Sequence, residues 1–296
     1  NSYGNTLFSV SPSYKYFQGD LAVSVGVRAT FLIDSNRSIN RFYIYPNIEA
    51  SYSIVNSIVL AYAQIKGDLI QNTYSDFAQI NPFISPTLEI RPSSTSYKLI
   101  VGSKGKLSES IAYDLNGSYS KQNDKALFRS NTILNLSALT NYNQGNSFGI
   151  VYDDVDVFNA SGALEFDMSE KLMLRFKGDL YKYSSNLETR VWNLPDFEAS
   201  LFLNYLISDK WALVGTLFYY GARQDSTTND SLLSETTNET LDSFFDANFQ
   251  LDYQVSSQWG AFLKVNNMTN SNYSRWNHYP VQGFQILGGA SYKFDF

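Results

Sequence analysis

The sequence predicts an all-β protein, an antiparallel transmembrane β-barrel in which about 13–14 strands can be recognised. Three observations predict it. Apolar and polar residues alternate along many stretches of about ten residues or more. The connections between these stretches alternate between short and long. Aromatic residues reach 16% of the chain, while charged residues make up only 17%. Because successive side chains of a strand point to opposite faces, each stretch has one apolar and one polar face.

The last stretch, residues 284–296, shows the alternation clearly. Its even-numbered positions are mostly apolar or aromatic, and its odd-numbered positions are mostly polar or small. A final strand that ends on an aromatic residue resembles the terminal assembly signal of outer-membrane barrels, with the match shifted because two residues follow it. An edge strand of a soluble sheet is the alternative interpretation. The residues that carry the signal are Gly289, Tyr292, Phe294 and Phe296.

Similar alternation recurs along the whole chain, and it is sharpest after residue 149. Two stretches, 57–66 and 211–221, are apolar at both parities, so their faces cannot be assigned. Residues 121–146 are the hardest to interpret, and they are predicted to contain a strand extension through Phe128 followed by a polar loop. Strands are predicted at about 8–16, 21–31, 47–54, 57–66, 97–106, 111–119, 158–167, 172–180, 197–205, 211–221, 245–255, 259–266 and 284–296.

Connection lengths distinguish a membrane barrel from a soluble sandwich. In a sandwich nothing requires the connections at one end to be short and those at the other end to be long. In outer-membrane barrels the short turns lie in the periplasm and the long loops lie outside the cell. Short turns are expected at 17–20, 55–57, 107–109, 168–171, 208–210 and 256–258. Long loops are expected at about 67–94, 121–146, 184–194, 223–241 and 268–280.

Composition excludes several kinds of protein. The net charge of −6 leaves no basic stripe for a nucleic acid, so no nucleic-acid partner is expected. The absence of cysteine excludes disulfides, thiolate zinc sites and iron–sulfur clusters. No run of about 18 apolar residues is present, which excludes an ordinary transmembrane helix.

Three groups of residues are candidates for chemical sites. His278, the only histidine, could serve a hydrolase at the barrel rim, but no nucleophile motif accompanies it, so we expect a solvated loop residue. Asp153, Asp154 and Asp156 are expected to be a solvated strand end. A mobile surface loop is preferred over a calcium site for a third, oxygen-rich group. Its members are Asp225, Asp230, Glu235, Glu239 and Asp242. No catalytic, cofactor or metal residue is therefore predicted, and the protein is not expected to be an enzyme.

Charged residues within the strands are expected to face the interior, because a Lys or Arg facing lipid at mid-depth costs about 2–4 kcal/mol. Trp211 and Trp259 are expected to be interfacial aromatic residues on the periplasmic side. The charged residues expected inside are Lys15, Arg28, Lys98, Lys104, Arg175, Lys177, Lys264, Glu49, Asp114, Glu165, Asp167, Glu198, Asp246 and Asp252.

Several motifs, taken in order, resemble the C-terminal part of the barrel of TonB-dependent outer-membrane receptors. The first runs from Asn81-Pro82 through Pro86 to a Lys104-Gly-Lys-Leu107 turn, and another is Leu206-Ile-Ser-Asp-Lys-Trp211. The strongest is Lys264-Val-Asn-Asn-Met-Thr-Asn270, which leads into the terminal signal. The likeness covers roughly residues 80–296 well and the first 80 residues loosely.

The resemblance implies a barrel of about 22 strands with an N-terminal plug domain. It also implies ligand-gated active uptake of a scarce nutrient. The implied partners are an inner-membrane energy-coupling protein, the barrel-assembly machinery and the surrounding lipid and lipopolysaccharide. The sequence contains no recognisable plug or energy-coupling box, so residues 1–296 are expected to be a partial barrel. Since ligand contacts in such receptors come largely from the plug and outer loops, no binding residue is carried over.

The expected function is therefore that of a receptor and transporter barrel integral to the bacterial outer membrane. A structural subunit of a larger outer-membrane complex and a smaller passive porin remain as alternatives. Counting sides from one short turn to the next places residue 1 outside the cell and residue 296 in the periplasm. Bacterial barrels have an even number of strands, so an odd count means either that a strand in 121–146 or 67–94 escapes recognition or that the chain begins within a larger barrel; the second explanation is favoured.

Overall fold

One large antiparallel sheet dominates the computed structural model, which describes residues 4–35, 37–55, 58–131, 147–228 and 236–294. The helix α1 spans Tyr74–Ile80. The strands are β1 Asn5–Val10, β2 Ser13–Gln18, β3 Leu21–Asp34, β4 Ile39–Val55, β5 Val59–Ile70, β6 Ser93–Ser108, β7 Ile111–Ser130, β8 Phe148–Ser169, β9 Leu172–Ser185, β10 Phe197–Leu206, β11 Trp211–Tyr220, β12 Arg223–Thr228, β13 Thr236–Leu241, β14 Phe244–Gln254, β15 Trp259–Asn266, β16 Ser274–Trp276, β17 Tyr279–Pro280 and β18 Gln285–Tyr292.

The large sheet contains 14 of these strands, which pair almost strictly in chain order from β1 to β18. The hairpins β12–β13 and β16–β17 form two separate small sheets. No helix in the described residues is long and apolar enough to cross a membrane. The strand order and antiparallel pairing of the large sheet confirm the prediction of an all-β antiparallel barrel sheet.

The strands β1 and β2 form a single wall strand that proline interrupts. Both pair with β3, and the register runs on unbroken from Val10↔Ala29 to Ser13↔Gly26. The Pro12 carbonyl accepts a hydrogen bond from the Val27 amide at 3.2 Å, but proline has no N–H to return. Counting β1 and β2 as one, the described residues cross the wall 13 times.

The sheet is an open arc within the described residues. No ladder in this part of the chain joins β1 or β2 to β18. Neighbouring strands are antiparallel throughout the large sheet, so an odd number of crossings leaves the first and last strands running in the same direction. These two strands are the lateral edges of the arc.

Several strands are longer than predicted, and β4, β6 and β7 are examples. The strand β4 begins at Ile39 rather than near residue 47. The prediction missed its first half because proline is uncommon within strands, so Pro46 suggested a loop. Pro46 pairs with Val27 of β3, and the β4–β5 ladder starts only at the next residue, Asn47. The strand β7 continues to Ser130, and β6 starts at Ser93, so the two adjoining loops are shorter than expected.

The two faces of the sheet differ as the alternation predicts. The outward face carries exposed aliphatic and aromatic side chains on nearly every strand, whereas the inward face carries the charged residues. Examples of the exposed outward residues are Val25, Ile44, Leu115, Phe158, Phe176, Phe245, Leu263 and Ile286. Strands such as β3 and β9, with 14 residues each, are long enough to span a bilayer at a tilt.

Candidate functional site

The inward face of the arc is a polar wall on which opposite charges are paired. Arg28 pairs with Asp68, and Lys66 pairs with Glu49. On the other half of the arc, an Arg175 nitrogen lies 2.7 Å from a Glu165 oxygen. These residues share the inward parity of their strands. The expected mixed-charge interior is therefore what the strand register produces.

A depression of about 490 Å³ lies on this wall between β2 and β7. Lys15, Glu49, Lys104 and Asp114 are among its charged lining residues. The Tyr62 hydroxyl donates a hydrogen bond of 2.7 Å to the Asp114 carboxylate and fixes one side of it. Because both positive and negative side chains line the depression, it can form hydrogen bonds with polar groups but does not favour anions over cations or the reverse.

One end of the arc is covered by its long connections, which we call the loop layer. It comprises residues 71–92, 186–196, 267–284 and the described parts of the connection after β11, which are 221–228 and 236–243. Each of these segments joins strands on the side opposite the short turns. In the part of the chain that the structure describes, the short elements outside the large sheet are α1 and the two hairpins, and they lie in these segments.

Aromatic packing holds the loop layer together. The Trp276 ring lies 5.5 Å from that of Phe128 and 5.3 Å from that of Phe148, in edge-to-face contacts. Phe83 and Tyr279 come from loops at opposite parts of the chain, yet their rings stack with centroids 3.4 Å apart. Edge-to-face and stacked aromatic pairs of this kind each contribute about 0.5–1.5 kcal/mol beyond the area they bury. The cluster therefore ties residues 71–92 to residues 267–284.

The short helix α1 begins at a capping box. The Thr73 side chain accepts a hydrogen bond from the Asp76 amide, and the Asp76 carboxylate accepts one from the Thr73 amide. This exchange satisfies two amides that a helix start would otherwise leave free. It also turns Phe77 into the aromatic cluster, where it is buried.

Asp225 anchors the hairpin β12–β13 to the end of β7. Its carboxylate accepts hydrogen bonds from the Ser130 amide at 3.0 Å and from the Ser130 hydroxyl at 2.7 Å. The Ser226 amide donates a third bond, and Asp225 is 0% exposed. The expectation of a mobile, solvated loop is therefore wrong for Asp225, because burial of its charge is compensated by donors. Asp230 and Glu235 lie outside the described residues.

Asp153 anchors the segment 186–196 in the same way. Its carboxylate accepts hydrogen bonds from the amides of Leu187 and Glu188 at 2.9 Å each. Asp153 is 2% exposed, so the expectation of a solvated strand end is wrong for this residue. Glu188 in turn accepts a bond from the Trp192 indole at 2.7 Å and pairs with Arg129. The segment is thereby folded over β7 and β8.

A cation–aromatic cluster lies where the hairpins meet. The Arg223 guanidinium lies 5.0 Å from the centre of the Tyr220 ring and 5.5 Å from that of Phe244, and the Arg275 guanidinium lies 5.1 Å from the Tyr220 ring. Arg223 donates to the carbonyl oxygens of Ser274 and Arg275. Burial lowers the pKa of the Arg223 guanidinium from its ordinary value.

The structure separates the residues weighed as chemical sites. His278 is exposed in the turn between β16 and β17 with a φ of 66°, as expected for a loop residue. Glu239 accepts a bond of 2.8 Å from Asn277, which ties the two hairpins together. Within the residues that the structure describes, no three His, Asp or Glu side chains come together as a metal site.

The predicted assembly and interface residues lie at the end of the arc with the short turns. The Trp211 ring packs 4.3 Å from Tyr253, and the Trp259 ring packs 4.8 Å from Tyr292. The Tyr292 ring in turn packs edge-to-face on Phe294. Gly289 lies inward, opposite Phe262, and Phe296 lies outside the described residues. Their roles in assembly and at the interface stay predictions.

No protein-family model matches the sequence, and no curated protein matches it. Solved structures do match. The chain is similar to the pyoverdine outer-membrane receptor FpvA of Pseudomonas aeruginosa, with 13% identity and a TM-score of 0.71 over 98% of this chain and 42% of that one. It is also similar to the ferric-catecholate import receptor Fiu of E. coli, with 11% identity and a TM-score of 0.69 over 98% of this chain and 45% of Fiu.

A third similar structure is the FrpB iron transporter of Neisseria meningitidis, with 12% identity and a TM-score of 0.68. That match covers 99% of this chain and 45% of FrpB, so the chain spans less than half the length of each of these proteins. The resemblance expected from the sequence motifs is confirmed at the level of the fold. The chain has the fold of part of a TonB-dependent receptor barrel.

Proposed function

We propose that this chain forms part of the wall of an integral outer-membrane receptor that takes up a scarce small nutrient by ligand-gated active transport. The contrast between its two faces supports the membrane location. Apolar side chains cover the outward face and charged pairs cover the inward face. A sheet of this kind satisfies its backbone hydrogen bonds between strands, as the lipid interior requires.

The loop layer is the observation that carries the transport proposal. A passive pore needs an open path, whereas here four connections interlock over one end of a polar wall. Because these loops hold one another by aromatic and hydrogen-bonded contacts, entry of a solute requires them to part. Such a layer suits a gate that responds to a ligand.

The similar structures narrow the nutrient to be tested first. Their names describe a pyoverdine receptor, a ferric-catecholate import receptor and an iron transporter. We therefore infer an iron complex as the first candidate nutrient. An inner-membrane energy-coupling protein and the barrel-assembly machinery are the further partners of the proposal, and no covalent chemistry is part of it.

Uptake by cells tests the proposal. The full protein containing this chain is expressed in a host that lacks its own iron receptors, and uptake of labelled ferric siderophores is followed with and without a protonophore. We expect saturable uptake that the protonophore abolishes. Replacing Phe83 and Tyr279 by Ala should loosen the loop layer and change the affinity, whereas the exposed Tyr74→Ala on α1 serves as the matched control.

Two other outcomes would contradict active uptake. Energy-independent entry of many small solutes, together with conductance in planar bilayers, would identify a passive porin. Stable co-purifying partners without uptake of any labelled complex would identify a structural subunit of a larger assembly.

A further inference from the structure

The wall opens sideways where β9 and β10 part. Their ladder ends at the pair Leu180↔Phe197, but β9 continues to Ser185 while the chain turns inward over β8. The Asn193 amide donates to the Gln224 carbonyl and holds this segment against β12. A cleft of about 590 Å³ remains between the upper part of β9, residues 189–197 and the start of β12. Clefts of this size suit a group as large as a small ligand.

The cleft is basic although the chain is acidic. Its charged lining residues are Lys182, Arg190 and Arg223 against the single carboxylate of Asp196. None of the three cations forms an ion pair with a carboxylate among the described residues. In a protein of net charge −6, three unpaired cations at one cleft attract an anion.

Arg223 gives a second, independent indication. It is 2% exposed, and one nitrogen of its guanidinium has no hydrogen-bond partner in the described part of the chain. A buried donor without a partner costs about 1–3 kcal/mol, and more when it is charged. An anion in the cleft that Arg223 lines would supply the missing acceptor or counter-charge.

The lower side of the cleft is apolar and faces outward. Leu180 is 56% exposed and Phe197 is 36% exposed, and both belong to the outward apolar parity of their strands. Above them, the exposed side chains of Lys182 and Arg190 and the hydroxyls of Ser185 and Thr189 offer donors. This order, apolar below and cationic above, matches an amphiphile with its anionic group at the membrane boundary.

We propose that this cleft binds the phosphate group of a phosphorylated lipid of the outer leaflet. The inference rests on the membrane location in the proposed function but not on transport. Lys182 and Arg190 contact the phosphate from the exposed side, Arg223 supplies the buried positive charge, and the acyl chains run down over Leu180 and Phe197.

Binding in nanodiscs tests the inference. The protein is placed in phosphatidylcholine nanodiscs that contain lipid A, and lipid A retained by the protein is counted by native mass spectrometry. We expect the double variant K182Q/R190Q to bind at least about 10-fold more weakly than the unchanged protein. The control K171Q/K210Q removes the same charge at exposed short turns of the other end and should leave binding unchanged.

Two comparisons identify the bound group. Lipid A from which both phosphates have been removed should lose binding to the unchanged protein, and inorganic phosphate should compete only weakly. Equal retention by the K182Q/R190Q variant, or equal binding of dephosphorylated lipid A, would overturn the proposal. Inorganic phosphate binding as tightly as lipid A would overturn the lipid source. Resistance to unfolding in detergent confirms separately that each variant forms the membrane sheet, so a failure of membrane insertion is distinguishable from a failure of binding.

Discussion

The ring of Phe262 lies over Gly289 of the facing strand, so that a Cβ atom on this glycine would be 2.5 Å from a carbon of the ring. The two residues are direct partners in the β15–β18 ladder. Glycine at this position leaves room for the ring to lie across the strand. The Phe262 ring therefore packs against the inward side of the final strand at Gly289.

We expect Gly289→Ala to destabilise the folded protein by about 1–3 kcal/mol, because the added methyl group forces the Phe262 ring to move. Gly288→Ala is the matched control, since the nearest atom to its Cβ is 3.7 Å away. Urea unfolding in detergent measures both. Equal stability of the two variants would contradict the packing role, and poor assembly in cells with normal stability would instead favour the terminal signal.

The outward parity of β14 gives a second prediction. Phe249 faces outward beside Gly215, whereas Gln250 faces inward and donates to the Asp252 carboxylate at 2.9 Å. We expect Phe249→Lys to destabilise by about 2–4 kcal/mol at mid-depth. Gln250→Lys should be nearly neutral, because it meets the polar interior. Unfolding from phospholipid vesicles compares the stability of the two variants. Similar losses of stability at both positions would show that Phe249 and Gln250 do not face lipid and interior as assigned.

The buried carboxylate of Asp225 gives a third prediction. Asp225→Asn turns an acceptor into an amide that faces the donors of Ser130, and we expect a loss of about 1.5–3 kcal/mol in the local stability of the β12–β13 hairpin. Hydrogen exchange of the hairpin amides should become faster. Asp242→Asn, at an exposed position just after the hairpin, serves as the control. Unchanged exchange in the Asp225 variant would show that the anchor is not needed.

Trp211 and Trp259 are expected at the periplasmic interface, and quenching of single-tryptophan variants checks this. Both begin a strand directly after a short turn, and both are partly exposed. Lipid-borne quenchers near the headgroups should quench both residues more strongly than quenchers at the bilayer centre. Stronger quenching by quenchers at the bilayer centre would show that both residues lie deep in the membrane and not at its interface.

The strands could be read from the sequence because their signal is local. Phe245 and Asp246 differ in exposure as their parity predicts. The alternation of side chains between the two faces is a property of the strand itself and does not depend on distant residues. The count of about thirteen wall strands was right for the same reason. The start of β4 was missed because the proline lies within the strand, where proline is uncommon, so the residues before it resemble a loop.

The loop layer could not be read in this way, because its contacts join distant parts of the chain. The buried Asp225 carboxylate accepts a hydrogen bond from Ser130, which is 95 residues away in the sequence. The buried Asp153 carboxylate accepts one from an amide 34 residues away. An acidic residue among Ser, Thr and Asn has the same appearance in sequence whether it is solvated or capped by such donors. The helix α1 did leave a local signal, since Thr73 and Asp76 have capping-box spacing.

The proline-interrupted wall strand has a consequence for how the arc can be closed. Because β1 and β2 count as one crossing, both lateral edges of the arc point the same way. Two parallel edges cannot be joined by an antiparallel ladder. Any fully antiparallel wall that includes this arc must therefore add an odd number of crossings between its edges, and a direct pairing of β1–β2 with β18 would have to be a parallel one.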